Sequence, residues 1–234
     1  MAAALTASQS TCPHHVFGGQ KDVMTVEETE FDSGSLLVVS PYTSTPHLLD
    51  LTRYNTPSQL FAKALTIFQP TRDNYAISEY TESFNLKEVI RTLRSLAKAE
   101  GYKWKKTDFY VVSFRSQLKP DADPERLFEL DAYSHQEAMA SGGLLKYWYG
   151  VKDHNRRNLA TCMLLPPTER SMTDRTTGFW ESRQHARDGG RGPWHAKARA
   201  AATVWYESIV FKTYVLTIED DIESWKISDF EEKR

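Results

Sequence analysis

Residues 109–149, FYVVSFRSQLKPDADPERLFELDAYSHQEAMASGGLLKYWY, decide the fold class of this chain. The first six residues are strong β-formers, and after a turn rich in Pro and Asp the pattern predicts a helix from about Glu125 to Ser141. Gly142 and Gly143 end that helix, and the aromatic run that follows predicts a second strand. A strand, a helix and a strand therefore succeed one another with short connections.

The sequence downstream extends this order to β-α-β-β-α-β. A polar turn at 153–157 precedes a strand at 158–162. A helical region is predicted over 181–206, with a glycine-rich interruption at 189–192, and the last strand is predicted over 209–218. This order is that of the ferredoxin-like split unit. The expected fold class is therefore α+β, with an N-terminal α/β extension before the ferredoxin-like unit.

The rest of the chain divides around this unit. Residues 1–34 show no sustained periodicity and are expected to form a flexible tail. Residues 35–106 are expected to pack on the main domain, which is placed at 107–220. The charged segment 221–234 is expected to be a solvated C-terminal tail that docks through one or two apolar residues.

Within the extension, the clearest element is a helix. Its apolar residues repeat at helical spacing from Asn85, and Gly101 supplies the stop. The apolar runs 36–39 and 60–68 each end before a proline, and each could be a strand or a buried extended segment.

An unusually long connection lies at 163–178, between a predicted strand and a predicted helix. Deleting it would join Cys162 to Phe179 and continue the strand into the helix. Two interpretations remain open, an ordinary surface loop and a retained intron. Sequencing the transcript would decide between them, because the intron interpretation requires a spliced message that lacks these codons.

Composition excludes several classes of protein. Lys and Arg number 29 against 31 Asp and Glu, so no basic excess is available to neutralise a nucleic-acid backbone. The mean hydropathy of -0.54 and the lack of a long apolar stretch argue against a membrane span. Cys12 and Cys162 are too few for a disulfide framework, and the first ten residues lack the basic region of a targeting signal. A cytoplasmic protein is expected.

Four motifs carry a resemblance to known proteins: Leu-Lys-Tyr-Trp-Tyr-Gly (145–150), Arg-Asn-Leu-Ala-Thr-Cys (157–162), Trp-Glu-Ser-Arg (180–183) and Gly-Pro-Trp-His-Ala-Lys-Ala (192–198). From about Leu60 to the end, the chain resembles a group of fungal cytosolic proteins, and this resemblance implies no particular activity. The β-α-β-β-α-β half in turn resembles the dimeric α+β barrel proteins, the superfamily of the antibiotic-biosynthesis monooxygenases. That likeness implies two sheets paired face to face around a pocket.

The first candidate site lies on the predicted helix 125–141, where Asp131 and His135 fall within an apolar arc. Their spacing of four residues allows a carboxylate to orient an imidazole for catalysis. Two ionisable groups on an inner face need partners or a wet pocket to offset desolvation. The alternative is a satisfied buried pair without a catalytic role.

The second candidate is the glycine-rich turn that contains Arg191, Trp194 and His195. It opens onto the free N–H groups of a helix that starts at Pro193, and such an end attracts the carboxylate or phosphate of a ligand. The alternative is a helix break in which Trp194 serves as a packing anchor.

The third candidate is the aromatic strand. Alternation sends Lys146 and Trp148 to one face and Tyr147 and Tyr149 to the other, so these four side chains are candidates for a ligand-binding wall. Aromatic residues on strands are more often part of a core or an interface. The Cys-Pro-His-His cluster at 12–15 has no fourth ligand at zinc spacing, and no metal site is expected.

These observations favour a small-molecule enzyme or binder of the dimeric α+β barrel type. No nucleotide- or dinucleotide-binding motif occurs, and the expected chemistry is cofactor-independent, acting on a largely apolar organic molecule through proton transfer at His135. Such chemistry could be monooxygenase-, isomerase- or cyclase-like. The expected partners are that small molecule and a second copy of the chain. The alternative function is a non-catalytic dimeric interaction or stress-response protein.

Overall fold

The computed structural model describes residues 34–164 and 191–230. The main sheet and its helices follow the order that the sequence predicts. The strands are β1 (Leu36–Leu37), β2 (Leu49–Asp50), β3 (Thr107–Leu118), β4 (Leu144–Tyr149), β5 (Arg157–Leu164), β6 (Tyr206–Ile218) and β7 (Trp225–Asp229). The helices are α1 (Thr56–Ala64), α2 (Tyr80–Ser83), α3 (Leu86–Ala99), α4 (Pro124–Ser141) and α5 (Pro193–Trp205).

The five-stranded sheet is antiparallel throughout, with the strand order β4-β5-β3-β6-β7. Its first four strands and helices α4 and α5 form the β-α-β-β-α-β unit, with β3 in the centre between β5 and β6. This is the ferredoxin-like arrangement, and the predicted α+β fold class is confirmed. Strands β1 and β2 form a separate two-stranded sheet within the extension.

Local sequence explains where α4 begins and ends. The Asp123 carboxylate accepts hydrogen bonds from the N–H groups of Glu125 and Arg126, and Pro124 occupies the first helical turn, where its missing N–H costs nothing. Gly142 ends the helix at a φ of 77°, a conformation that favours glycine. These caps fix the helix that carries Asp131 and His135.

The N-terminal extension covers one face of the sheet. The ring of Phe61 on α1 lies 4.1 Å from that of Phe109 on β3, and the Tyr80 hydroxyl lies 2.9 Å from the Thr161 hydroxyl on β5. The Arg115 guanidinium donates to extension carbonyls, including that of Ala76 at 2.5 Å. The α+β barrel analogy predicted that a second copy covers a sheet face, but the chain buries this face with its own helices.

Residues 60–67 are helical rather than extended, and Phe68, the last of the apolar run, is the first extended residue. Asn55 caps α1 by accepting a hydrogen bond from the Ser58 N–H at 3.1 Å, and a short 3-10 helix, Leu65–Ile67, follows. Leu60, Phe61, Ala64 and Leu65 are fully buried and recur at the spacing of one helix face. The period of this run, rather than its apolar content, identifies it as a helix.

The predicted insertion at 163–178 does not begin at Met163. That residue belongs to β5, pairs with Val111 and is fully buried, so a deletion from 163 would remove core packing. Residues 165–178, the predicted tail up to residue 33 and the start of the predicted helical region lie outside the described residues.

The C-terminal segment also differs from the expected solvated tail. Strand β7 pairs with β6 over five residues, with Trp225 opposite Ile218, and Ile222 in the preceding turn is 1% exposed. Strand β7 lies at the edge of the sheet, where strands are often short and carry charged residues. Its sequence therefore resembles that of a solvated tail. Among the helices of the described residues, none combines the length and apolarity that a membrane span requires.

Candidate functional site

A cluster of polar and aromatic side chains lies between helix α4, strand β4 and the extension segment 42–47. The Val39 carbonyl accepts a hydrogen bond from the Tyr147 N–H at 2.9 Å, which holds the chain before Tyr42 along the edge of β4. We call this group the polar cluster, and its members are Tyr42, His47, Asp131, His135, Gln136 and Tyr147.

Asp131 is held by two tyrosines. The hydroxyls of Tyr42 and Tyr147 donate to its two carboxylate oxygens, each at 2.5 Å. Burial raises the pKa of Asp131, and the two tyrosine hydrogen bonds offset only part of this effect. Burial and the nearby Asp131 charge raise the pKa of both tyrosines, so their hydroxyls remain donors.

The hydrogen-bond partner of His135 is His47 rather than Asp131. Their Nδ1 atoms lie 2.8 Å apart, although the residues are 88 positions apart in the chain. Helical spacing places Asp131 and His135 on one side of α4, but the two tyrosines already satisfy the carboxylate. The predicted pairing within the helix is therefore wrong, and the imidazole finds its partner across the interface with the extension.

His135 is 4% exposed, and its Nε2 atom is buried without a hydrogen-bond partner. Burial, followed by repulsion from His47, lowers the pKa of His135 to about 3. Burial also lowers the pKa of His47, against the attraction of Asp131. Both imidazoles are therefore neutral at pH 7, and each carries one N–H.

Aromatic rings surround the histidine pair. Tyr42 stacks on His47 with ring centroids 4.5 Å apart, and the ring of Tyr147 lies 5.4 Å from that of His135. Tyr149 adjoins Tyr147 at 5.8 Å. Burial raises the pKa of the neighbouring Cys162 thiol to about 12, which keeps it protonated and a poor nucleophile. The two neutral histidines remain as groups in this region that can each donate a proton at one ring nitrogen and accept one at the other.

The helix end at Arg191, Trp194 and His195 is occupied by a side chain of the protein. The Glu137 carboxylate of α4 accepts from the N–H groups of Trp194 at 2.7 Å and His195 at 3.0 Å, and lies 2.9 Å from His195 Nδ1. Burial raises the pKa of Glu137, but these hydrogen bonds prevail and lower it. The Glu137 carboxylate therefore occupies the N–H groups at which the sequence predicts the anion of a ligand.

Trp194 is a packing anchor between the two helices of the ferredoxin-like unit. Its ring stacks on Tyr133 of α4 with centroids 4.1 Å apart, and Lys197 Nζ lies 3.7 Å from the centre of the Trp194 ring. Arg191 is exposed at the start of this turn. These contacts agree with the alternative that Trp194 serves as a packing anchor.

The four candidates on β4 divide between the two faces of the sheet, as alternation predicts. Tyr147 and Tyr149 lie near Asp131, whereas Trp148 packs edge-on against extension rings, including Phe84 at 5.1 Å. Lys146 is buried, which lowers its pKa, and its ammonium makes no hydrogen bond to a described residue. Trp148 and Lys146 therefore do not belong to the polar cluster.

Sequence reasoning missed Tyr42, His47 and Gln136. The first two lie in a segment that contains a single short 3-10 helix, Thr45–His47, with a proline before each, and no spacing connects them to α4. Gln136 follows His135 directly, but the sequence does not reveal that its amide reaches His47 Nε2 at 3.3 Å. Across the described ranges, no group of three or more His, Cys, Asp and Glu side chains could hold a metal ion.

Comparison with known proteins agrees with the fungal resemblance. A family model described as PB2B2.08-like matches residues 38–165 and 166–229. The chain is 32% identical over 204 residues to UPF0643 protein PB2B2.08 of Schizosaccharomyces pombe (strain 972 / ATCC 24843), which covers 84% of this chain and 83% of that protein.

Two solved structures are similar to part of the chain. The Rv0793 protein of Mycobacterium tuberculosis matches with a TM-score of 0.33 and 14% identity, over 45% of this chain and 91% of that one. A proposed antibiotic biosynthesis monooxygenase from Nitrosomonas europaea matches with a TM-score of 0.34 and 13% identity, over 48% of this chain and 91% of that one.

Proposed function

The chain belongs to the PB2B2.08-like family, and we propose that it is a small-molecule enzyme that uses no cofactor and transfers a proton through His135. One observation carries this proposal. His135 Nε2 is buried without a partner, while the other ring nitrogen is hydrogen-bonded to His47. An unpaired buried polar atom is costly, and a bound substrate would satisfy it.

The two histidines can pass a proton without holding a net charge. Two neutral imidazoles carry two N–H groups, and one of these fills the Nδ1···Nδ1 hydrogen bond. The other N–H lies on His135 Nε2 or on His47 Nε2. When His135 Nε2 gives its proton to a substrate oxygen, the bridging proton moves from His47 to His135, and His47 Nε2 takes a proton from solvent. The reverse sequence removes a proton from the substrate.

The surroundings favour a largely apolar substrate with a polar oxygen. Tyr42, Tyr147 and Tyr149 supply aromatic surface beside the imidazoles. The Asp131 carboxylate attracts positive charge towards His47, so it favours the uptake of a proton from solvent by His47 Nε2 as the bridging proton leaves. We assign Asp131 a positioning role, because its two hydrogen bonds hold Tyr42 and Tyr147 rather than His135.

Acetophenone is a suitable probe, because its carbonyl oxygen accepts a hydrogen bond. When that oxygen takes the proton of His135 Nε2 and a water molecule accepts a methyl proton, an enol forms, and its return to the ketone in heavy water places deuterium on the methyl carbon. The wild-type protein is expected to accelerate this exchange, and His135→Asn to lower the acceleration by about 100-fold or more. Equal rates for the two proteins, or no acceleration by either, would contradict the proposal.

The variant His135→Ala tests whether His135 faces a ligand or only stabilises the fold. A residue that faces a ligand is expected to tolerate truncation with only a modest change in melting temperature, while acetophenone binding weakens. Binding is followed by ligand-observed NMR, and stability by thermal unfolding. A severe loss of stability with unchanged binding in the folded fraction would support a structural role for His135.

A second candidate function is a non-catalytic interaction protein that forms a homodimer. It is favoured by the first half of β6, since the partner strand β7 pairs only with Tyr214–Ile218. In the exposed half, Ile209, Val210 and Phe211 are each more than a third exposed. Val210→Lys is expected to shift a sedimenting dimer towards monomer. A wild-type protein that sediments as a monomer at micromolar concentration would contradict this candidate.

A cytoplasmic location is part of the proposal and is tested by imaging the full chain with a fluorescent tag. Exclusive association with an organelle or a membrane fraction would contradict it.

A further inference from the structure

The amide of Gln136 touches the ring nitrogen of His47 that points away from His135. Gln136 Nε2 lies 3.3 Å from His47 Nε2, and His47 Nδ1 lies 2.8 Å from His135 Nδ1. Three side chains thus form one hydrogen-bonded series that ends at His135 Nε2, which is buried without a partner. The direction of the N–H groups along this series decides whether its end donates or accepts.

The first member fixes that direction. The Gln136 amide presents its nitrogen to His47 Nε2, and an amide nitrogen donates but does not accept, so in this orientation of the amide His47 Nε2 is the acceptor. A neutral His47 then carries its hydrogen on Nδ1 and donates to His135 Nδ1. A neutral His135 that accepts at Nδ1 carries its own hydrogen on Nε2. The buried end of the series is therefore an N–H group.

We propose that Gln136 is a positioning residue that keeps His135 Nε2 a hydrogen-bond donor, so that the site takes ligands with an acceptor oxygen and discriminates against ligands that offer only a donor. The choice of ligand rests on the function proposed above, whereas the direction of the N–H groups does not. Gln136 acts through His47, two hydrogen bonds away from His135 and three from the ligand, and is not a catalytic residue.

The opposite arrangement is disfavoured by the same contact. A hydrogen on His47 Nε2 would face the amide hydrogens of Gln136, and two donors facing each other are left unsatisfied. The arrangement becomes available when the amide rotates and presents its oxygen. Gln136 is half-buried rather than enclosed in the core. The Gln136 amide would therefore rotate each time the N–H groups of His47 and His135 change direction.

Nitrogen NMR of the imidazole side chains tests the assignment, because protonated and unprotonated ring nitrogens have distinct shifts. The His135 signals are identified by their loss in His135→Asn. In the wild-type chain, His135 is expected to be protonated at Nε2 and His47 at Nδ1. In Gln136→Glu, measured at about pH 9, where free imidazoles are neutral, both are expected to reverse, because a carboxylate only accepts.

Gln136→Met is the matched control, since it keeps the length of the side chain and removes the amide hydrogens. We expect its two histidines to lose the single preferred arrangement and to show averaged nitrogen shifts. A wild-type chain with the hydrogen on His135 Nδ1 would overturn the assignment. Wild-type shifts that persist unchanged in Gln136→Met would equally overturn the role of Gln136.

Two pairs of probes test the ligand class. Acetophenone and α-methylstyrene differ only by a carbonyl oxygen in place of a CH₂ group, and indole and indene differ by an N–H in place of a CH₂ group. The wild-type protein is expected to bind acetophenone about tenfold more tightly than α-methylstyrene, and Gln136→Glu to prefer indole over indene. Equal affinities within both pairs would overturn the ligand assignment.

The two proposals fail in different ways. If the nitrogen shifts follow the expected pattern but none of the four probes binds, the role of Gln136 stands and the small-molecule function is contradicted. If acetophenone binds and exchanges its hydrogens while the shifts of Gln136→Met match the wild type, the function stands and the role of Gln136 is wrong.

Discussion

The two faces of the sheet differ in how they are built, although the same strands supply both. On the face covered by the N-terminal extension, aromatic rings such as Phe61 and Phe109 are fully buried and pack directly on one another. On the face beside α4, Tyr147 and His135 contact polar partners, and the polar cluster combines ring contacts with hydrogen bonds between side chains.

This difference shows that burial has two outcomes in one molecule. Apolar burial stabilises the fold in proportion to the surface removed from water. Buried polar groups are costly unless every donor and acceptor is paired, and one atom of the polar cluster, His135 Nε2, has no partner. We therefore expect stability to depend chiefly on the extension face and function to depend on the α4 face.

The largest expected effect is a loss of stability on the extension face. Phe61→Ala removes a fully buried ring from α1 and should lower the free energy of unfolding by about 3 to 5 kcal/mol. The matched control is Phe128→Ala on α4, whose ring is 58% exposed and whose loss should cost less than about 1 kcal/mol. Urea unfolding measures both, and similar losses would remove the distinction between the faces.

The second prediction concerns acid sensitivity on the α4 face. The pKa of His135 is about 3 in the folded chain against an ordinary value of 6.5, so between these values the unfolded chain binds a proton that the folded chain does not. The contribution of neutral His135 to the free energy of unfolding is complete above pH 6.5. It is lost as the pH falls towards 3, by up to about 1.4 kcal/mol per pH unit.

His135→Gln lacks this titration and should show a shallower pH dependence of its free energy of unfolding. Asp131, whose pKa is raised, gives the opposite slope, and it is present in both proteins. Denaturant unfolding at a series of pH values measures the difference. If the free energy of unfolding of both proteins changes with pH in the same way, His135 takes up a proton in the folded chain as it does in the unfolded chain. Water would then have access to the polar cluster.

The smallest expected effect distinguishes two tyrosines of one strand. Tyr147→Phe removes a hydrogen bond to Asp131 and should cost about 1 to 2 kcal/mol. Tyr149→Phe is the control, since no hydrogen bond from the Tyr149 hydroxyl to a described residue is present, and it should cost less than about 0.5 kcal/mol. Equal losses in chemical denaturation would show that the Asp131 carboxylate does not depend on its tyrosine donors.

The sequence predicted the elements whose patterns are local. The helix at 125–141 follows from its caps and its glycine stop, and alternation on β4 correctly separates Tyr147 from Trp148. The run 60–68 was ambiguous because a short apolar stretch fits either a strand or a buried helix. Strand β7 resembles a tail because its two apolar residues, Trp225 and Ile227, stand among charged ones, whereas the backbone pairing with β6 leaves no pattern in the sequence.

The candidate site was predicted only in part. Asp131 and His135 stand out because ionisable groups within an apolar arc require an explanation. Their partners, Tyr42 and His47, were not predictable, since they lie 89 and 88 positions away in a segment with no periodic pattern. Likewise, the helix that begins at Pro193 binds the carboxylate of Glu137 at its N-terminal end. The packing of α4 against this helix places Glu137 at that position, and the glycine-rich turn in the sequence does not reveal it.

By itself, the sequence determined the order β-α-β-β-α-β, the α+β class and the two ionisable residues of α4, because caps, periodicity and alternation act between neighbours along the chain. Only the tertiary structure decided that the extension covers the sheet face where a second copy was expected, and that His135 pairs with His47 rather than Asp131. Those outcomes depend on contacts between segments far apart in sequence, where burial and hydrogen-bond pairing select partners that no local spacing specifies.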